Sequence, residues 1–290
     1  MPENVLQNRP NNRLYRSSLR WFLAVLLCTA GITKPLGAFE LSGEHVQGGL
    51  LIGKTQAENQ IFFNEQRVKV SSQGQFIIGL DRDEAPNATI TVQTPNKPAT
   101  KHTLDIRQRT YAIQRINGLP KKKVSPNKKN LLRIRKDNQK IAQARQHNDE
   151  RTDFSQGFSW PARGRISGVY GSQRILNGKP RRPHYGVDIA APIGTPVTAP
   201  ANGLITLAHP NMFFSGGTLI LDHGHNLSSA FLHLDKIHVQ VGDYVKKGDL
   251  IADIGATGRV TGAHLDWRMN WFKHRIDPQL LVPAMPSSTQ

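Results

Sequence analysis

The sequence predicts a mainly β chain, and three observations carry that reading. Apolar residues fall in short runs, glycine and other turn formers separate the runs, and helix-length segments are confined to one basic stretch. At the start, Arg9, Arg13, Arg16 and Arg20 precede an apolar run over 21–30 that continues to Pro35-Leu36-Gly37-Ala38. A positive segment, an apolar segment and then a small residue predict a secretory signal over 1–38, cleaved near Ala38. The apolar run falls short of the roughly 20 residues a membrane-spanning helix needs, so no stable membrane insertion is expected after cleavage, an uncleaved anchor being the alternative. From 39 to 115, runs such as Gly49-Leu50-Leu51-Ile52-Gly53 and Thr89-Ile90-Thr91-Val92 are separated by turns at Ser72-Gln73-Gly74 and Pro95-Asn96, the pattern of a small antiparallel β-sandwich domain. Residues 116–158 change composition: Pro120-Lys121-Lys122-Lys123 leads into a stretch over 127–150 without Gly or Pro. Its thin apolar stripe of Leu131, Ile134, Ile141 and Ala144 predicts a basic, mostly solvated linker helix. From 159 to 282 short strands return, among them Gly203-Leu204-Ile205-Thr206-Leu207 and Ser229-Ala230-Phe231-Leu232-His233. An antiparallel sheet shaped into a groove is expected there, with 283–290 as a tail.

The 290 residues include 38 Lys+Arg against 21 Asp+Glu, a formal net charge of +17. Such a surplus points to a polyanionic partner. Export weighs against nucleic acid and in favour of an anionic wall or membrane surface, so a periplasmic or cell-envelope location is expected. The one cysteine, Cys28, lies within the expected signal, which leaves the exported chain without disulfides and reliant on packing, with or without a metal.

Two patterns bring imidazole and carboxylate together: His184-Tyr185-Gly186-Val187-Asp188, and Gly262-Ala263-His264-Leu265-Asp266. These are donor types that Zn²⁺ prefers. On a strand His264 and Asp266 share a face, whereas His184 and Asp188 need a bend to converge, and Gly186 permits one. Each pattern is common by chance. Their order, with His233 between them, makes the pair specific.

Residues 160–278 resemble the lysostaphin/LytM-type zinc metalloendopeptidases, which cut peptide bonds in bacterial peptidoglycan. The resemblance runs through Gly164-Arg165-Ile166-Ser167-Gly168-Val169-Tyr170-Gly171, the first metal pattern, Ala190-Ala191-Pro192-Ile193-Gly194-Thr195-Pro196-Val197, Phe231-Leu232-His233-Leu234, the turn over 241–249, and the stretch over 257–264. It implies a LytM-type β-sheet groove and one Zn²⁺ per chain held by His184, Asp188 and Asp266. It also implies His233 and His264 as catalytic residues, one polarising the attacking water and the other stabilising the oxyanion. The implied substrate is the stem peptides of peptidoglycan, and a wall hydrolase or a divisome protein is the expected protein partner.

Asp266 departs from the family, which usually carries histidine at that position. A His/Asp/Asp set with an open position is a sound zinc site, although two carboxylates should acidify a bound water less than one. The other reading of the departure is a catalytically silent, wall-binding regulator that activates another wall hydrolase. The turn over 241–249 also resembles an element of biotinyl and lipoyl carriers, but the local motif those carriers need around a lysine is absent. Of the remaining histidines, His223 and His225 read as structural groups in a polar turn and His274 as exposed. Trp267 and Trp271 are expected to pack under the groove, and Arg268 either orients Asp266 or contacts a substrate carboxylate.

Overall fold

The computed structural model describes residues 39–120 and 124–285, so the segment expected to be a secretory signal, with Cys28, and most of the tail lie outside the described residues. Two small antiparallel sheets come first. One runs Phe39–Ser42, Leu50–Thr55, Gln75–Gly79, and the other Gln66–Val68, Gln60–Phe63, Asn87–Gln93, Thr100–Asp105, each in spatial order. Asn87–Gln93 shows how the sequence does this: Ala88, Ile90 and Val92 are buried while Asn87 and Thr89 are exposed, the period-two alternation of a half-buried strand. The next strand, Ile113–Ile116, leaves these sheets and pairs in parallel with Gln173–Leu176, far along the chain.

The helix Lys128–Ala144 is capped by Asn127, whose side-chain oxygen accepts the Asn130 N–H at 2.9 Å. It is less solvated than its charge suggests. Ile141 and Ala144 pack on Leu207, Met212, Ile220, Ala230 and Leu232 of the main sheet, and the buried Asp137 accepts the Phe213 N–H at 2.8 Å. Leu131, by contrast, remains exposed. A thin stripe therefore suffices to dock this helix.

The main sheet has ten strands, all antiparallel to their neighbours. Along its path lie Tyr244–Val245, Gly203–Met212, Gly216–Asp222, Leu227–Ile237, His264–Trp271, Val187–Ala190 and Arg165–Gly168. Every residue of Gly216–Asp222 is buried, as a central strand covered on both faces requires. Trp267 and Trp271 lie fully buried in a core shared with Phe76 and Ile77 of the first sheet. His223 and His225 are buried as well, His223 bridging Asn202 O at 2.7 Å and the Ser229 hydroxyl at 2.8 Å. His274 differs from the expectation of exposure. Its ring stacks at 5.4 Å on Trp271 in a short hairpin strand, and its side chain is only 15% exposed.

Candidate functional site

Asp188 and Asp266 sit directly opposite each other in the register of Val187–Ala190 against His264–Trp271. Facing carboxylates repel, and both are buried. Two guanidiniums and an imidazole offset the repulsion. Arg268, two residues beyond Asp266 and so on the same strand face, donates Nε to Oδ1 at 2.9 Å and a terminal nitrogen to Oδ2 at 2.6 Å. Arg268 thus orients Asp266, which decides between its two expected roles. Arg174 donates to Asp188 Oδ2 at 2.7 Å and is braced by Gln114 Oε1 at 3.2 Å, a contact supplied by the parallel pairing of Ile113–Ile116. His184 Nε2 lies 3.0 Å from Asp188 Oδ1 and 3.4 Å from Asp266 Oδ1.

The electrostatics follow from this arrangement. Burial alone would push both carboxyls up, but Arg268 and His184 hold Asp266 well below the usual range, and His184 with Arg174 holds Asp188 below it. Burial would likewise depress His184, yet Asp266 and Asp188 outweigh it and its pKa is raised. Glycines make room for the cluster. Gly168 faces Asp188 on the neighbouring strand, and a Cβ there would overlap Asp188 Oδ2. Gly186 adopts no left-handed backbone, so the expected glycine bend is not its reason for being there. A Cβ at Gly186 would lie 2.5 Å from Trp267 O and 2.7 Å from Asp266 Oδ1, and close approach is what demands glycine.

His184, Asp188 and Asp266 offer one nitrogen and two oxygens within 4.8 Å of one another. His184 Nε2 and Asp188 Oδ1 are buried, face each other at 3.0 Å without hydrogen-bond geometry, and have no hydrogen-bond partner among the described residues, a state rare in folded proteins. Asp266 retains lone pairs beyond those Arg268 uses. Nitrogen plus carboxylate donors, two of them unsatisfied, fit Zn²⁺. A second group, His147, Asp149 and Asp222, is equally close, but the Arg151 guanidinium bonds both of its carboxylates, so a cation is already in place.

His233 and His264 stand beside the first cluster with ring centroids 4.8 Å apart. Each uses Nδ1 toward a backbone carbonyl, His233 to Thr257 O at 2.8 Å and His264 to Gly262 O at 2.9 Å. A carbonyl only accepts, so Nδ1 carries the proton and both rings present Nε2. His264 Nε2 lies 3.8 Å from Asp188 Oδ1. His233 has a left-handed backbone, φ 68°, in mid-strand, and this breaks the alternation so that Leu232 and His233 line the same cavity. Burial pulls the His233 pKa down to about 4 against the pull of Asp266.

Residues 182–278 match the model of Peptidase family M23. The chain carries an M23 peptidase domain. His184, Asp188, His233, His264 and Asp266 all fall inside the M23 match. The peptidoglycan DD-endopeptidase ShyB of Vibrio cholerae is 43% identical over 89 residues, 30% of this chain and 20% of that protein. An uncharacterized metalloprotease of Haemophilus influenzae is 32% identical over 152 residues, 51% of this chain and 32% of that protein. The matched segments thus span between a fifth and a third of these relatives. A crystal structure assigned to peptidase M23 from Pseudomonas aeruginosa superposes with a TM-score of 0.64 at 25% identity, covering 82% of this chain and 95% of that one. Coverage that wide extends well beyond the M23 match, so the shared architecture includes strands that precede it.

Arg174 and Gln114 escaped the sequence reading. Arg174 lies 14 residues before Asp188 and Gln114 a further 60 upstream, and neither spacing belongs to a recognisable local pattern.

Proposed function

We propose that this protein is an exported zinc metalloendopeptidase that hydrolyses peptide cross-links of peptidoglycan. The observation that carries the proposal is the buried nitrogen and two carboxylates, partly unsatisfied, beside two imidazoles that present Nε2. His184 Nε2, Asp188 Oδ1 and an oxygen of Asp266 would hold the zinc. When bound, zinc supplies Lewis-acid polarisation of a scissile carbonyl and lowers the pKa of water. His184 must be neutral to ligate, so loading the site releases the proton its raised pKa favours.

The chain's own groups perform the proton transfers. His233, kept neutral by burial, accepts the proton of the attacking water at Nε2 and passes it to the leaving amine nitrogen as the C–N bond breaks. His264, with Nε2 toward the carboxylates, is the imidazole placed to stabilise the developing oxyanion. Arg174 and Arg268 hold Asp188 and Asp266 in place throughout. The basic surface suits an anionic wall, as export to the periplasm would require.

The test compares the purified chain with its Asp266→Ala and Asp266→His variants for zinc content and for release of muropeptides from purified sacculi, with and without chelator. The expected results are about one zinc per chain, release that chelator stops, loss of both in Asp266→Ala, and retained zinc in Asp266→His. Full activity in Asp266→Ala would overturn the ligand assignment. A chain that binds no zinc and releases nothing is instead the silent regulator.

A further inference from the structure

A cavity of about 280 Å³ lies between the helix Lys128–Ala144 and the main sheet, with His233 in its wall. Five arginines line it, Arg145, Arg174, Arg259, Arg268 and Arg275, against one carboxylate, Asp137. The charges do not cancel. Arg174 and Arg268 are neutralised by Asp188 and Asp266, and Asp137 is engaged by the Phe213 N–H. Arg275 hydrogen-bonds a neutral group, Asn270 Oδ1, and lies 5.7 Å from the Tyr185 ring. Arg145, the first residue beyond the helix, is the clearest case. Its Nε is buried without a partner, and its guanidinium makes no hydrogen bond or ion pair with any described residue. Burial, with Arg275 and Arg268 adding to it, pulls the Arg145 pKa down to about 9. Arg145 as a whole is only partly buried, so its terminal nitrogens are left to the cavity, where a seated anion would answer the positive charge and supply the missing hydrogen bonds.

We propose that this cavity is a carboxylate-binding subsite of the substrate groove, in which Arg145 and Arg275 grip a free carboxylate of an acidic peptide substrate. The planar fork of arginine matches a carboxylate through two parallel hydrogen bonds, which gives orientation as well as attraction. Because the same cavity includes His233, a carboxylate anchored there sets the register of the peptide relative to the reacting centre. The subsite selects acidic stem peptides over amidated ones. It also gives the linker helix a part in recognition, since Arg145 is its C-cap. The proposal rests on the reading of the groove as a wall-peptide site.

The test uses a disaccharide tetrapeptide, which contains no cross-link to cut, and the same muropeptide with its carboxyls amidated. Affinity of the whole purified chain for each is measured by calorimetry. The native muropeptide should bind about tenfold or more tightly than the amidated one. Arg145→Gln should abolish that preference without lowering the thermal midpoint, and Arg145→Lys should keep it. Equal affinity for the two muropeptides, or an Arg145→Gln variant that still prefers the acidic one, overturns the proposal. Digestion of sacculi answers a separate question: an Arg145-dependent preference in a chain that cleaves nothing sinks the hydrolase reading and leaves the subsite standing.

Discussion

Asp266 is the residue on which the proposed chemistry turns, and its electrostatics are set first by Arg268. The carboxylate is fully buried and both oxygens accept from one guanidinium. Removing one partner of such a pair costs up to about 3–5 kcal/mol, because the other charge stays buried, here with only His184 at 3.4 Å to answer it. A metal at the cluster supplies positive charge of its own. Arg268→Gln should therefore lower the stability of the chelator-treated chain by up to about 3–5 kcal/mol, and added zinc should recover most of the loss. Thermal unfolding with and without zinc checks this: the zinc-induced stabilisation should be larger in Arg268→Gln than in the parent chain. An equal increment in both proteins would show that Asp266 does not feel the ion. At this scale the sequence was informative, since the His-x3-Asp and His-x-Asp patterns pick out the residues that converge, and the i, i+2 spacing on a strand puts Arg268 on the face of Asp266.

Strand register explains why those residues converge. Gly168, Asp188, Asp266 and Leu232 occupy one row across four neighbouring strands, so the site is a line across a sheet and its spacing is fixed by the ladder. The smallest residue in that row stands beside Asp188 because its missing side chain is the space the carboxylate uses. Gly168→Ala should displace the Asp188 carboxylate from Arg174 and from the cluster while leaving the strand intact. Zinc stoichiometry should fall well below that of the parent chain, with far-UV circular dichroism unchanged, and a fully loaded Gly168→Ala protein would contradict the placement of Asp188. The need for Gly168 and Gly186 could not be read from sequence as close approach, because the atoms they accommodate come from partner strands. Gly186 suggested a bend, whereas the structure uses it to admit Trp267 O and Asp266 Oδ1. The helix Lys128–Ala144 was legible from composition. The cavity beneath it was not, because Arg145 lies over a hundred residues before Arg259 and Arg275 and the three share no pattern.

Over the whole molecule, the first sheets and the M23 sheet share one core, with Phe63 edge-on to Trp271 at 6.2 Å and Arg109 bonding the buried Asp277 at 2.8 Å. Unfolding should then be a single cooperative event, so the protonation of any deeply buried group acts on the stability of the whole. His223 and His225 are such groups. Burial drives each pKa down to about 4; His223 is locked between Asn202 and Ser229, and both ring nitrogens of His225 are buried without partners. In the unfolded chain both return to about 6.5. Between those values the unfolded state binds more protons than the folded one, so stability rises with pH there and is lost on acidification from about pH 6.5 toward pH 4. A gap of this size is worth on the order of 3 kcal/mol for His223. His184 works in the opposite direction in the metal-free chain, since its raised pKa gives a contribution present below about 6.5 and lost as pH rises through the folded value. The two effects separate by mutation. Urea midpoints of the parent chain should fall between pH 7 and pH 4.5, and His223→Gln, though less stable at pH 7, should show a visibly shallower decline. A variant whose midpoint falls as steeply as the parent's would mean that protonation of His223 is not what weakens the core.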